Sequence, residues 1–259
     1  MVTTTILLLC LFAFIAGFVD AIVGGGGLIQ TPAGLILMPT EAVSTVIGSL
    51  KIPAFTGTSF AVQQYLKKVK VIWKEVLILM LIAFVSAFTG SQLLTLVSNA
   101  FMKPVILIVL VGVAMYTYTK KDFGTITTKN IHPKKAFVFG CIISSVLGFY
   151  DGFIGPGAGS FLVMAFISVL GYDFLKAGTH AKLINLSTNL GSISLFLLKG
   201  TILWKIAIPM AICNGIGGIF GSKLAIYKGN RFIRIFFLLV ITATLIRFGY
   251  DVLKQLMIL

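Results

Sequence analysis

Gly17-Phe18-Val19-Asp20-Ala21-Ile22-Val23-Gly24-Gly25-Gly26-Gly27-Leu28 is an apolar helical stretch that carries one carboxylate and then runs into four consecutive glycines. The stretch occurs twice. Subtracting 17 from 148 gives an offset of 131, which places Gly17 on Gly148, Phe18 on Phe149, Asp20 on Asp151, Gly24 on Gly155 and Gly26 on Gly157. The same offset places Cys10 on Cys141, Lys51 on Lys182, Trp73-Lys74 on Trp204-Lys205 and Gly90-Ser91 on Gly221-Ser222. A unit of about 130 residues is therefore used twice. The copies have diverged locally, since Gly25 corresponds to Pro156 and Gly27 to Ala158.

A chain that is 58% hydrophobic and 11% charged, with 22 phenylalanines, has too little polar surface to cover a soluble globule. The two-residue alternation of a membrane barrel strand is missing, so the fold class read here is an all-α polytopic membrane protein. The formal charge of +14 comes from short Lys and Arg clusters between apolar runs. In so apolar a chain that is the positive-inside pattern of cytoplasmic loops, and nucleic acid is not the expected partner. The expected location is the cell membrane, as a multi-pass protein in contact with lipid. Cys10, Cys141 and Cys213 lie in apolar runs without metal-ligand or redox spacing and read as packing residues. The N-terminal apolar segment lacks a basic start and has a counterpart in the second copy, so it reads as a retained helix.

Crossings are expected at Thr4–Val23, Glu41–Tyr65, Ile72–Val97 and Phe101–Thr119, and again at Lys135–Ile154, Phe174–Leu198, Leu203–Ile226 and Phe232–Leu253. The pieces Leu28–Met38 and Gly159–Leu170, at about 1.5 Å per residue, cover only about half of a ~30 Å hydrocarbon core and read as half-helices. The organisation is a first repeat over 1–119, a basic linker over 120–135 and a second repeat over 136–259. Five elements per repeat put Lys67 to Lys74, the linker, Lys228, Arg231 and Arg234 on one side, while the first-copy loop outside has only Lys103. That asymmetry favours inverted repeats over a parallel arrangement.

Asp20 and Asp151 each precede a glycine break in an otherwise apolar helix. An ionised carboxylate there needs a partner, a cavity or a proton, and two roles stay open: capping the N–H groups freed at the break, or transport. The glycines themselves, notably Gly25, Gly26, Gly27 and Gly157, permit unusual backbone angles and leave a helix N-terminus beyond them, a place suited to an anion. Lys51 and Lys182 sit in equivalent polar stretches. Lys182 has His180, Asn185, Thr188 and Asn189 around it, and the two ammonium groups read as a positive focus for a small oxyanion, with snorkelling to a boundary as the structural alternative. No Walker loop, zinc-protease helix or nucleophile elbow is present, which leaves no case for an enzyme.

The run Ala16 to Asp20 through Gly24 to Gly27, Lys51 and the polar residues after it, Tyr65-Leu66-Lys67-Lys68 leading to Val71-Ile72-Trp73, and His180-Ala181-Lys182-Leu183-Ile184-Asn185-Leu186-Ser187-Thr188-Asn189-Leu190-Gly191 together resemble the TauE/SafE, or sulfite exporter, family of membrane permeases. The resemblance covers nearly the whole chain. It implies a permease without a bound cofactor that moves small sulfur-containing anions such as sulfite or sulfonates. Leu50-Lys51 replaces the usual Asn-Lys, and Pro156 interrupts the second glycine run. Proton coupling through Asp20 or Asp151 is a further expectation. The alternatives are a small-carboxylate transporter of the same fold and a divalent-cation permease using Asp20, Asp151 and His180, against which the lysines weigh.

Overall fold

The computed structural model describes residues 2–98, 105 and 131–256. Among these the regular elements are helices: α1 (Val2–Val23), α2 (Gly26–Leu37), α3 (Val43–Leu66), α4 (Trp73–Leu96), α5 (Pro133–Phe153), α6 (Ala158–Leu170), α7 (Phe174–Leu198) and α8 (Trp204–Leu256). The expected crossing at Phe101–Thr119, with Lys103, lies outside the described residues, as does most of the 120–135 linker. Within the run labelled α8, Gly229 (φ 70°, ψ −168°) is not helical and divides it into two helices, the first over Trp204–Gly229 and the second beginning close to the expected Phe232. Glycine takes that angle without a side-chain clash, so the chain turns and resumes helix.

Helices α1, α4, α5, α7 and the first part of α8 are each long and apolar enough to cross a membrane. The exposed faces have the same chemistry. Leu7, Leu11 and Ile15 form an outward stripe at four-residue spacing on α1, as do Leu77, Leu81 and Val85 on α4, Val138, Ile142 and Val146 on α5, and Ile208, Ile212 and Ile216 on α8. Polar residues turn inward instead. This is a multi-pass membrane protein, with a lipid-facing shell of α1, α4, α5 and α8 around α3 and α7.

The shell is closed by exchange between the halves: α1 packs most extensively on α8, and α5 on α4. Small residues allow it. Gly217 and Gly221 of α8 lie against the backbone of Phe14 and Phe18, while Gly148 and Gly152 of α5 lie against Ala83 and Ala87. Gly90 and Gly221, equivalent in sequence, meet the equivalent residues Phe149 and Phe18. In the centre α3 and α7 run antiparallel, with Gly48 against Phe196 at one end and Gly178 against Tyr65 at the other.

The two short helices arise where α1 and α5 stop. Gly24 and Gly155 adopt φ of +78° and +92°, the left-handed region, and reverse the chain. Helices α2 and α6 start at Gly26 and Ala158, slightly earlier than Leu28 and Gly159, because Gly26 and Gly27 join α2 and Ala158 joins α6. The two breaks touch: a Cβ on Gly24 or on Gly159 would overlap the other's backbone. The middle of the molecule is thus two reversed chains in contact.

Candidate functional site: a cavity between the glycine breaks

Each lysine reaches from its own half to the end of the first helix of the other. Lys51 Nζ donates to the backbone oxygen of Asp151 at 2.8 Å, and Lys182 Nζ donates to the backbone oxygen of Asp20 at 2.7 Å. These are the same contact under the 131-residue offset. A cation at a helix C-terminus meets the negative end of the dipole and carbonyls with spare lone pairs, so each ammonium also pins the break beside it. Both lysines are buried, 6% and 3% exposed, and the snorkelling alternative does not hold.

The carboxylates differ. Asp151 Oδ1 receives Lys51 Nζ at 2.9 Å as an ion pair. Its Oδ2 accepts from the Thr188 hydroxyl and from Asn185 Nδ2, the latter at 3.4 Å. Asn189 in turn donates to Asn185 Oδ1 at 3.3 Å. Asp20 has no such pair among the described residues. Its Oδ1 accepts the Gly26 N–H at 3.2 Å and its Oδ2 the Thr58 hydroxyl at 3.4 Å. Capping therefore describes Asp20, and charge pairing describes Asp151. Lys182 lies over the Tyr65 ring, 5.3 Å from its centroid, and the Tyr65 hydroxyl donates to the Ala21 carbonyl at 2.9 Å.

A cavity of about 60 Å³ lies between the breaks, room for on the order of four waters or one small oxyanion. Its wall includes Asp20, Gly26, Gly27, Lys51, Asp151, Gly157, Asn185 and Asn189. Gly27 and Gly159, in the first turns of α2 and α6, also border it and add helix N-terminal N–H groups. Four expected residues are placed otherwise. Lys182 sits behind the break with Asp20, Gly24 and Val163, where the side chains leave no free volume. Thr188 touches Asp151 rather than the cavity, Gly25 caps α2 outside the wall, and His180 borders a separate cavity. A pocket walled by both lysines is therefore corrected to one walled by Lys51 alone.

Two wall residues escaped the sequence reading. Gln30 Nε2 donates to the Leu50 carbonyl at 2.9 Å, and Asn214 Nδ2 donates to Gln30 Oε1 at 2.8 Å. A signal existed, since an amide within an apolar membrane segment marks an interior face. The ionisable wall groups are Asp20, Asp151 and Lys51; counting Lys182 behind them, two carboxylates balance two ammonium groups. Among the described residues no three His, Cys, Asp or Glu side chains gather.

A helical bundle with an apolar shell, broken helices meeting in its middle and charged groups turned onto a central cavity belongs to the class of membrane transport proteins. Comparison with known proteins agrees, and the chain belongs to the TauE/SafE sulfite exporter family, whose model matches residues 9–248. It is 35% identical over 242 residues to a probable membrane transporter protein, ORF9, of Sinorhizobium sp, covering 92% of this chain and 90% of that one. A probable membrane transporter protein of Haemophilus influenzae is 34% identical, with 85% of each chain covered. The probable membrane transporter protein YfcA of Escherichia coli (strain K12) is 30% identical over 92% of this chain and 87% of its own length. No solved structure matches the chain significantly.

Proposed function

We propose that the protein is a secondary permease for small sulfur-containing anions, of the sulfite or sulfonate class, working by alternating access around the cavity between the glycine breaks. The observation that carries this reading is the ion pair of Lys51 Nζ with Asp151 Oδ1, 2.9 Å apart in the cavity wall. With the cavity empty the carboxylate neutralises the ammonium. An entering anion competes for Lys51 and for the N–H groups of Gly27 and Gly159, and so releases Asp151. A carboxylate left unpaired in the interior costs several kcal/mol, so the anion is carried with a proton that Asp151 takes up. Asn185, Thr188 and Asn189 hold Asp151 in reach of both partners, and Asp20, Lys182 and Gly26 hold the other break in shape.

The antiparallel course of α3 and α7, equivalent in sequence, supports an inverted relation of the two repeats. Rocking of one against the other exposes the cavity to each side in turn. Lys67, Lys68, Lys70, Lys74, Lys134, Lys135 and Lys176 gather where α3 ends and α4, α5 and α7 begin. By the positive-inside rule that end is cytoplasmic. The test is uptake of labelled sulfite, thiosulfate, methanesulfonate and acetate into proteoliposomes with and without an imposed pH gradient. Uptake of a sulfur anion accelerated by an inward proton gradient supports the reading; uptake indifferent to the gradient removes the proton step, and no anion uptake removes the permease.

A further inference from the structure

His180 borders a cavity of about 100 Å³ at the basic end of the bundle, with Lys70, Ile72, Glu75, Phe166, Tyr172 and Lys176. The residue is 7% exposed, and its Nδ1 lies 2.8 Å from the Lys176 carbonyl. A carbonyl only accepts, so Nδ1 carries the hydrogen and Nε2 of the neutral ring is an acceptor. Nε2 has no protein partner among the described residues.

The start of α4 supplies complementary groups to the same cavity. Its cap residue Ile72 offers no side-chain acceptor, and the first turn bonds only from Glu75 and Val76 back to the Ile72 carbonyl. The N–H group of Ile72, which borders the cavity, has no protein acceptor among the described residues, and the helix dipole is positive there. Lys176 Nζ rests on the Tyr172 ring, 4.1 Å from its centroid, outside any ion pair among the described residues.

The equivalent place at the other end is closed. Subtracting 131 from 180 gives Ser49, and adding 131 to 72 gives Leu203. Ser49 Oγ donates to the Thr45 carbonyl at 2.7 Å, as His180 does to Lys176, and accepts the Leu203 N–H at 2.8 Å. An N–H satisfied by protein at one end therefore borders an empty volume, with an unused acceptor beside it, at the other.

We propose that the His180 cavity is a second site for the transported anion, at the cytoplasmic mouth, and that it takes a small oxyanion carrying one proton. The anion's O–H donates to His180 Nε2; its charged oxygens accept from the N–H group of Ile72 and from Lys176 Nζ. Lys70 and Lys176 against Glu75 leave one net positive charge in the wall, matched to a monoanion, while Glu75 opposes a dianion. The proposal rests on the anion-permease reading.

The test uses the full chain in detergent with Trp204→Phe, which leaves Trp73 as the sole fluorescent tryptophan of the two. Titration with hydrogen sulfite is expected to change Trp73 emission saturably. Methanesulfonate, which has no O–H, is expected to bind at least tenfold more weakly, and Lys176→Ala to weaken hydrogen sulfite by at least tenfold. His180→Ala should bring the two anions to equal affinity, while Lys51→Ala/Asp151→Ala, which alters only the central cavity, should leave the titration unchanged. An unresponsive Trp73, equal wild-type affinity for both anions, or retained discrimination in a folded His180→Ala protein would overturn the site. Flux without a Trp73 response refutes this site and leaves the permease standing. A Trp73 response in protein that moves no anion supports this site and contradicts the permease.

Discussion

Lys51 and Lys182 make the same bond to the same backbone oxygen of the opposite half, yet only Lys51 also holds a carboxylate. The difference traces to three equivalent positions on the central helices. Asn185, Thr188 and Asn189 of α7 stand where α3 has Ala54, Gly57 and Thr58. Asn185 and Thr188 donate to Asp151 and hold its carboxylate beside Lys51. With no donor at Ala54 or Gly57, Asp20 turns to the Gly26 N–H instead. The second contrast is volume. Gln30 and Thr31 border the cavity on the Lys51 side, whereas the equivalent Phe161 and fully buried Leu162 are bulky and apolar. The two equivalent lysines thus differ in place: Lys51 faces the cavity, and Lys182 fastens the turn behind it.

The largest break of this comparison is expected from Lys51→Ala, which leaves Asp151 buried and unpaired at about 3–5 kcal/mol of stability. Thermal unfolding in detergent measures it, and Lys51→Ala/Asp151→Ala should recover most of the loss. Gly24→Ala comes next. Its φ of +78° alone costs about 1–3 kcal/mol, and overlap with the Gly159 backbone adds to that, so folded yield should fall sharply in membrane extraction. Gln30→Leu strips partners from Asn214 Nδ2 and the Leu50 carbonyl, for about 1–3 kcal/mol in the same unfolding experiment. Asp20→Asn should be mildest, at about 0.5–1.5 kcal/mol, because an amide oxygen still accepts the Gly26 N–H. Asp151→Asn should cost clearly more than Asp20→Asn, and equal losses would erase the distinction between the two carboxylates.

The scaffold was readable before any coordinates, because helix starts track the repeat: α3 and α7 begin at Val43 and Phe174, and α4 and α8 at Trp73 and Trp204, each 131 residues apart. Trp73 and Trp204 are half-exposed at those starts. Lys51, Asp151, Gly26, Gly27, Gly157, Asn185 and Asn189 were expected at one place and meet there. His180 was expected with them and is not, for a geometric reason. Two residues apart on a helix differ by about 200°, so His180 and Lys182 of α7 lie on different sides. Proximity in sequence carries no such angle. The Gln30 to Asn214 bond spans 184 positions, and only packing of α1, α2, α3 and α8 brings its ends together. That Lys182 lacks a cavity depends on the close packing of Gly24, Gly159, Val163 and Ala181 around it, which periodicity does not disclose.

Labelled sulfite uptake into proteoliposomes by folded Lys51→Ala/Asp151→Ala and Lys182→Met proteins, set beside the unsubstituted chain, tests the central claim most directly. Loss of uptake in the first, with measurable uptake retained in the second, is the predicted result. Undiminished uptake after removal of Lys51 and Asp151 would contradict the account.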